Sequence, residues 1–300
     1  MYEKRTDLAL EIHEIKGEES GIEIKEEHRN GVEITIAKIS SEEGERLSGK
    51  PSGDYFTINI GKIWLQASNV FKIMAKVIGD CIAPLIPNNE GCVLVVGLGN
   101  REITPDSLGP RVAENLIVTR HIEKMDPELY NSVGFGNVAA IVPKVLGQTG
   151  VESAEIVKSV TERIKPKCVI LVDALASRRV SRLATTVQIS SCGITPGSGV
   201  SNHRNELSEK TLGVPVISIG VPMVVDGATL AHDILEEHFG SNDPCFEKIV
   251  EKLLSSSEKG MFVTPKETDV ISRRVALLVA TALNVAIHGL EIDEINEYIN

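Results

Sequence analysis

The sequence predicts an α/β fold, a mostly parallel, doubly wound sheet preceded by a small N-terminal α+β appendage. After residue 91, continuous apolar runs alternate with helical patterns, which is typical of buried parallel strands joined by helices. The apolar runs cover residues 92–97, 138–142, 168–172, 185–189 and 216–221, and the helical patterns cover residues 107–122 and 151–164. Residues 32–37 alternate with a period of two instead, so the region before residue 91 is predicted to hold half-buried strands.

These patterns divide the chain into the appendage, residues 8–90, and the α/β domain, residues 91–300. A polar excursion at about residues 233–262 interrupts the second part. Thr264-Pro265-Lys266-Glu267 then predicts the start of a last long helix, with Thr264 as its N-cap and Glu267 completing a capping box.

Composition and charge disfavour several classes of protein. The formal net charge of −11 argues against a basic nucleic-acid-binding surface, and an aromatic content of 4% argues against base-stacking platforms. The five cysteines are scattered without a Cys-x-x-Cys pair, and we interpret Cys92 and Cys168 as small buried residues. No apolar signal region opens the chain, and the apolar stretch 275–290 is shorter than the roughly 20 residues of a membrane span. We therefore expect a soluble, cytoplasmic protein in which residues 275–290 form a buried helix.

Two aspartates follow predicted strands at the edge where open α/β sheets bind their ligands. Asp173 comes directly after the strand at 168–172. Asp106 follows the strand at 92–97, in the predicted first turn of a helix that Thr104 caps. Each has a structural alternative, since Asp106 can complement the helix dipole and Asp173 can cap the following turn. If the two strands are neighbours, both carboxyl groups point into one cleft.

Two acids in one cleft can divide the work of hydrolysis. An ionised carboxylate draws a proton from water while a protonated one polarises the peptide carbonyl. A helix N-terminus favours the charged form of Asp106 and burial favours the neutral form of Asp173, so we assign the base to Asp106 and the acid to Asp173. The loop Gly197-Ser198-Gly199 can present backbone N–H groups as an oxyanion site, although a plain surface loop has the same composition.

Other catalytic motifs fail at identifiable positions. Gly97-Leu98-Gly99 begins like a dinucleotide-binding fingerprint, but Glu102 stands where the third glycine is needed. Ser198 does not lie in a Gly-x-Ser-x-Gly elbow, which disfavours a serine hydrolase. The histidines form no His-Glu-x-x-His pattern, and we predict neither a metal nor a cofactor.

Several motifs, in order along the chain, resemble the spore germination endopeptidases of spore-forming Firmicutes, a family of atypical aspartic proteases. The longest are Leu94-Val95-Val96-Gly97-Leu98-Gly99-Asn100, Thr104-Pro105-Asp106-Ser107-Leu108-Gly109-Pro110, Val172-Asp173-Ala174-Leu175-Ala176 and Pro196-Gly197-Ser198-Gly199-Val200. Shorter matches at residues 119–121, 148–152 and 263–267 extend the resemblance over about residues 92–289.

The resemblance implies an endopeptidase that degrades the small acid-soluble proteins coating spore DNA, with Asp106 and Asp173 as its catalytic pair. It implies a homotetrameric, inactive precursor in the forespore and spore core, which binds neither nucleic acid nor membrane directly. The segment from Arg5 to Glu11 is similar to the family's processing site, which places a self-cleavage between Asp7 and Leu8. Residues 1–7 would then be a short propeptide, and an ordinary frayed terminus is the alternative.

Two other functions are compatible with the sequence. Gly97-Leu98-Gly99-Asn100, with acids after two strands, is also similar to the hydrogenase maturation endopeptidases, which have a phosphorylase/hydrolase-like fold and recognise a nickel-loaded precursor. The other candidate is a non-catalytic binder of spore nucleoid proteins, in which both aspartates are structural.

Overall fold

The structure, a computed structural model, describes residues 5–16, 21–194, 206–239 and 261–299. Its strands are β1 (Glu23–Arg29), β2 (Val32–Ile39), β3 (Gly53–Asn59), β4 (Val93–Gly97), β5 (Val138–Ile141), β6 (Cys168–Ser177), β7 (Thr186–Ser190), β8 (Val216–Asp226) and β9 (Phe262–Val263). Its α-helices are α1 (Ala9–Lys16), α2 (Glu42–Ser48), α3 (Ser68–Ile82), α4 (Leu108–Glu114), α5 (Arg120–Met125), α6 (Pro127–Val133), α7 (Leu146–Thr149), α8 (Ser153–Ile164), α9 (Glu209–Leu212), α10 (Gly227–Phe239), α11 (Thr268–His288) and α12 (Ile292–Ile299).

The described strands form one sheet in the order β1-β2-β3-β7-β8-β6-β4-β5, and β9 pairs with β8. Neighbouring strands are parallel from β5 through β4 and β6 to β8, and the other described pairs are antiparallel. The predicted α/β class is confirmed, with a sheet that is mixed rather than mostly parallel. β7 runs antiparallel to β8 because only residues 178–185 separate it from β6, too few for the crossover that a parallel strand requires.

The N-terminal strands join this sheet through the pairing of β3 with β7. Phe56 lies opposite Ile189 and Ile58 lies opposite Val187, so apolar side chains of the two strands meet on one face. The appendage predicted for residues 8–90 therefore shares its sheet with the rest of the chain, and the sheet continues across residue 90.

Helices cover both faces of the parallel half of the sheet. On one face, alternate residues of β4 and β6 such as Val95 and Ile170 pack against α3, α4 and α11. On the other face, their neighbours in sequence, such as Leu94 and Val169, pack against α8 and α9. This two-residue alternation explains why strands buried on both sides read as continuous apolar runs.

The longest helix, α11, is a core element. Its residues at the predicted stretch 275–290 are largely buried, as expected from the sequence. By length and composition alone, α11 could cross a membrane, and 61% of its most apolar window is buried inside the protein. The helix begins at Thr268, so the predicted N-cap Thr264 is wrong. Its hydroxyl instead lies 2.8 Å from the Thr268 hydroxyl, because the chain forms a turn before the helix starts.

The described cysteines are free thiols, and Cys92 and Cys168 are buried as predicted. Burial raises the pKa of Cys168 to about 11, because the thiolate would lose its hydration in the apolar core. These two thiols therefore act as small apolar residues of the sheet.

The buried imidazole of His288, at the end of α11, is expected to make the protein less stable in weak acid. Its Nε2 lies 3.0 Å from the Ile117 carbonyl oxygen, and burial lowers the pKa of His288 below its usual range. Below about pH 6.5 the unfolded chain binds a proton at this position that the folded chain resists. The free energy of unfolding therefore decreases as the pH is lowered, and this group contributes at most about 1.4 kcal/mol per pH unit to the decrease.

Urea unfolding of wild type and His288→Gln between pH 7.5 and pH 5 checks this prediction. The variant should lose less stability over the range than the wild type. His121→Gln, on the exposed side of α5, serves as the matched control. If the free energy of unfolding depended on pH equally in the wild type and in His288→Gln, the prediction would be contradicted.

Candidate active site

The end of β4 lies beside Val172 of β6, so the two positions that the sequence predicts to precede the aspartates are neighbours in the sheet. The two strands pair in parallel, with Gly97 opposite Val172. The Leu98 N–H donates to the Val172 carbonyl at 2.8 Å, which continues the pairing one residue beyond β4. The chain after β4 therefore leaves the sheet beside Asp173, whereas β6 continues beyond it to Ser177.

Asp106 ends a short 3₁₀ helix, Thr104–Asp106, that packs against β6 and β8. Its side chain is partly buried, and the Asn100 N–H donates to its Oδ2 at 2.8 Å. The predicted cap is wrong, because Ile103 occupies the N-cap position of this turn and α4 begins only at Leu108. Bonds of the 3₁₀ type, such as the one from the Asp106 N–H to the Ile103 carbonyl, close the chain before the α-helix starts.

Two glycines allow the Asp106 loop to lie this close to the strands. A Cβ on Gly99, whose φ is +109°, would lie 2.2 Å from the Asp106 carbonyl oxygen and 2.9 Å from its Oδ1. A Cβ on Gly109, in the first turn of α4, would lie 2.3 Å from the Leu98 oxygen and 2.5 Å from the Val172 oxygen. These glycines thus let one backbone approach another, which is the packing role of glycine in such turns.

Asp173 lies within β6, which continues to Ser177, rather than after the strand as predicted. Its side chain is 8% exposed, and its Oδ1 accepts the Ala174 N–H at 2.9 Å. Because β4 ends opposite Val172, it leaves the edge of β6 beyond Asp173 open to another segment.

The N-terminal segment occupies that edge of β6. The Asp7 N–H donates to the Ala176 carbonyl at 2.9 Å, and the Ala176 N–H donates to the Asp7 carboxylate at 2.8 Å. Leu8 is fully buried and Asp7 is 9% exposed, so the predicted processing site is a docked segment and not a frayed terminus.

Gln188 of β7 holds the backbone on both sides of the predicted cut, a contact that sequence reasoning missed. Its side-chain amide donates to the Asp7 carbonyl at 3.2 Å and accepts the Ala9 N–H at 2.9 Å. A glutamine between two apolar residues of a predicted buried strand, Val187 and Ile189, is the signal that could have found it, because a buried amide needs partners.

Gln188 and Asp173 lie on the same face of the sheet. Gln188 pairs with Gly220 of β8, and Gly220 pairs with Asp173 of β6. Directly opposite residues present their side chains to one face, and two strand spacings separate the Gln188 and Asp173 backbones by about 10 Å. The glycine between them carries no side chain of its own, and Leu175 packs over it. The structure thus brings the Asp7–Leu8 segment onto the face of the sheet that carries Asp173.

A family model described as germination protease, of peptidase family A25, matches residues 2–244. The chain belongs to the germination protease family. It is 43% identical to the germination protease of Caldanaerobacter subterraneus subsp. tengcongensis, covering 99% of this chain and 98% of that protein. It is 39% identical to the germination protease of Clostridium tetani, covering 99% of each.

Membership of the germination protease family confirms the resemblance seen in the sequence motifs. The protein is an endopeptidase with a role in spore germination, and a germination protease acts on a protein substrate of the spore. Among solved structures, the chain is similar in fold to the [NiFe] hydrogenase maturation protease HycI from Thermococcus kodakarensis. That similarity has a TM-score of 0.35 and 19% identity, covering 69% of this chain and 98% of that one.

The remaining predicted site residues, Gly197, Ser198 and Gly199, lie outside the described residues. On either side of them, Ile194 and Leu207 form an isolated antiparallel bridge. The oxyanion role of this loop stays a prediction.

Within the described residues, one group of side chains could hold a metal ion, namely His232, Asp233 and Glu236 of α10. Arg178 already binds these carboxylates, with two hydrogen bonds of 2.7 and 2.9 Å to Asp233 and an ion pair of 3.7 Å to Glu236. The hydrogen bond to Asp233 raises the pKa of Arg178, so the guanidinium stays charged. The cluster is best described as an ion-pair network that joins Arg178, the residue after β6, to α10, the helix after β8.

Proposed function

We propose that this germination protease hydrolyses small acid-soluble spore proteins with Asp106 and Asp173 as its catalytic pair. The observation that carries the proposal is the pairing of β4 with β6, which brings the loop of Asp106 against the strand of Asp173. A second observation supports the proposal. The Asp7–Leu8 segment, whose sequence is similar to the cleavage sequence of the family, docks on the face of the sheet that carries Asp173.

In the proposed reaction, Asp106 takes a proton from water, and the water oxygen bonds to the peptide carbonyl carbon. Asp173, in its protonated form, donates to the carbonyl oxygen, so the tetrahedral intermediate is neutral. The C–N bond then breaks as the nitrogen takes a proton from Asp106 and the oxygen returns its proton to Asp173. The products are a carboxylic acid and an amine, and both aspartates regain their starting forms.

The Asp7–Leu8 bond is the proposed self-processing site of a precursor. Before the cut, Asp7 occupies the edge of β6 with two hydrogen bonds to Ala176. A substrate strand would need the same edge, so the intact segment competes with substrates for it. Release of residues 1–7 removes Asp7 from Ala176 and opens the edge. We propose that the precursor is a homotetramer in the forespore and spore core, needing no cofactor.

Digestion of a purified small acid-soluble spore protein tests the proposed substrate class. We expect fragments whose new termini lie between an Asp or Glu and an apolar residue followed by alanine, the pattern of Asp7-Leu8-Ala9. Mass spectrometry of a time course identifies the cuts. Stable binding without fragments would support the non-catalytic binder instead, and cuts at unrelated sequences would contradict the proposed specificity.

A further inference from the structure

Asn100 is a buried polar residue between the end of β4 and the loop of Asp106. It is 8% exposed, and its N–H is the donor to the Asp106 Oδ2 described above. Its side-chain Oδ1 accepts the Glu102 N–H at 3.0 Å. A side-chain oxygen that bonds the N–H two residues further on closes an Asx turn, which restrains the backbone between them. The side chain of Asn100 therefore stabilises the turn whose N–H contacts the Asp106 carboxylate.

Gln148 of α7 contacts the same oxygen of Asn100 from another part of the chain. Its Nε2 donates to Asn100 Oδ1 at 3.1 Å, over a separation of 48 positions. A carboxamide oxygen has two lone pairs, so the Glu102 N–H and the Gln148 side chain together use both of them. If the Asn100 amide were turned over, its NH₂ group would face these two N–H donors. The two donors therefore select one orientation of the Asn100 side chain.

The helix that carries Gln148 has no part in the core. α7 is a single turn, and none of its residues is buried. Among the residues that the structure describes, the bond from Gln148 is the one side-chain hydrogen bond that links α7 to the Asp106 loop. Holding an exposed glutamine in one geometry costs side-chain entropy, and no burial of apolar surface on α7 offsets that cost. The bond is therefore better explained by its place beside Asp106 than by the stability of the fold.

We propose that Gln148 is a positioning residue, which acts through Asn100 to hold the Asp106 carboxylate where it takes a proton from water. The inference rests on the proposed function, because it needs Asp106 to be the base. A displacement of about 1 Å at a reacting group can cost about a hundredfold in rate, and the loss of one support among several costs less. A positioning role lowers kcat and leaves KM nearly unchanged, because Gln148 holds the base and not the substrate.

Three replacements of Gln148 in the full chain test the proposal, with a small acid-soluble spore protein as substrate. Gln148→Ala removes the donor and should lower kcat about three- to tenfold, with KM changed less than about twofold. Gln148→Lys supplies another N–H donor and should restore kcat to within about twofold of the wild type. Gln148→Glu supplies only acceptors, which repel Asn100 Oδ1, so its kcat should be no higher than that of Gln148→Ala.

Gln66 provides the matched control, because it is also an exposed glutamine and makes no side-chain hydrogen bond with any residue that the structure describes. Gln66→Lys and Gln66→Glu should leave kcat within about twofold, which separates the effect of the donor from that of net charge. Thermal unfolding of Gln148→Ala should match that of the wild type, because α7 has no buried residue. The double variant Asn100→Ala, Gln148→Ala should be no slower than Asn100→Ala alone, because Gln148 acts through Asn100.

A Gln148→Ala protein with the wild-type kcat, or with a loss confined to KM, would overturn the positioning role. A Gln148→Lys protein as slow as Gln148→Ala would overturn it as well. Asp106→Asn, assayed beside these variants, distinguishes this failure from that of the proposed function. If Asp106→Asn is inactive, the proposed catalytic pair stands without Gln148, and if Asp106→Asn digests substrate at the wild-type rate, both proposals fail.

Discussion

Asp173→Asn is expected to lower kcat/KM for a small acid-soluble spore protein by at least about a hundredfold, and up to about ten-thousandfold. Asparagine keeps the size of the side chain but cannot donate a carboxylic proton to the peptide carbonyl, and general acid catalysis contributes factors of this size. The buried Asp173 side chain lies on the face of the sheet where the Asp7–Leu8 segment docks through Gln188, and the proposed mechanism assigns it the general-acid role at the bond being cut. Initial rates of substrate loss at several substrate concentrations provide the measurement.

Asp269→Asn is the matched control for this experiment. Asp269 lies exposed on α11, paired with Arg273 at 2.9 Å, and its replacement should leave the rate within about twofold. Thermal unfolding of both variants confirms that each remains folded. An Asp173→Asn protein that is folded and digests its substrate at the wild-type rate would contradict the proposed mechanism.

The second large effect is on stability. Gly109→Ala is expected to lower the free energy of unfolding by about 1 to 3 kcal/mol, the range typical of overpacked cores. The added methyl would lie 2.3 to 2.5 Å from backbone atoms of Leu98 and Val172, which cannot move without parting β4 from β6. The Asp106 loop should shift together with α4. We therefore expect reduced activity even under conditions in which the variant is fully folded. Urea unfolding and the substrate assay measure the two effects.

Gly147→Ala provides the control, because Gly147 lies exposed on α7 with nothing within 4 Å of an added Cβ. Alanine favours a helix over glycine, so this variant should be neutral or stabilised by up to about 1 kcal/mol. A Gly109→Ala protein as stable as the Gly147→Ala protein would show that α4 does not pack on the strand ends as described.

The α/β class and the location of Asp106 and Asp173 next to buried strands could be predicted because they depend on local patterns, whereas the catalytic role of the two aspartates stays a prediction. Apolar runs reveal strands buried on both faces, and a polar residue at the end of such a run is conspicuous. The family resemblance added the Asp7–Leu8 segment, which composition alone presents as an ordinary terminus. The order of β4 and β6 in the sheet had to come from the structure, since strand order depends on contacts between distant residues.

The missed features share that long-range origin. The antiparallel direction of β7 and its pairing with β3 depend on where in the sheet the chain places β7 after it leaves β6. The apolar pattern of a strand does not indicate its neighbours or its direction relative to them. In the sequence, Gln188 is a polar residue within a predicted strand. Glu11 is one of many acidic residues in the N-terminal region. Their roles depend on partners 179 and 167 positions away, Ala9 for Gln188 and Arg178 for Glu11.

The intact mass of the purified full-length chain, followed over time, tests the central claim that Asp106 and Asp173 together cleave the Asp7–Leu8 bond. The wild type should lose residues 1–7 and begin at Leu8, while the double variant Asp106→Asn, Asp173→Asn should keep its full mass. A double variant that acquires Leu8 as its N-terminus at the wild-type rate would contradict the account.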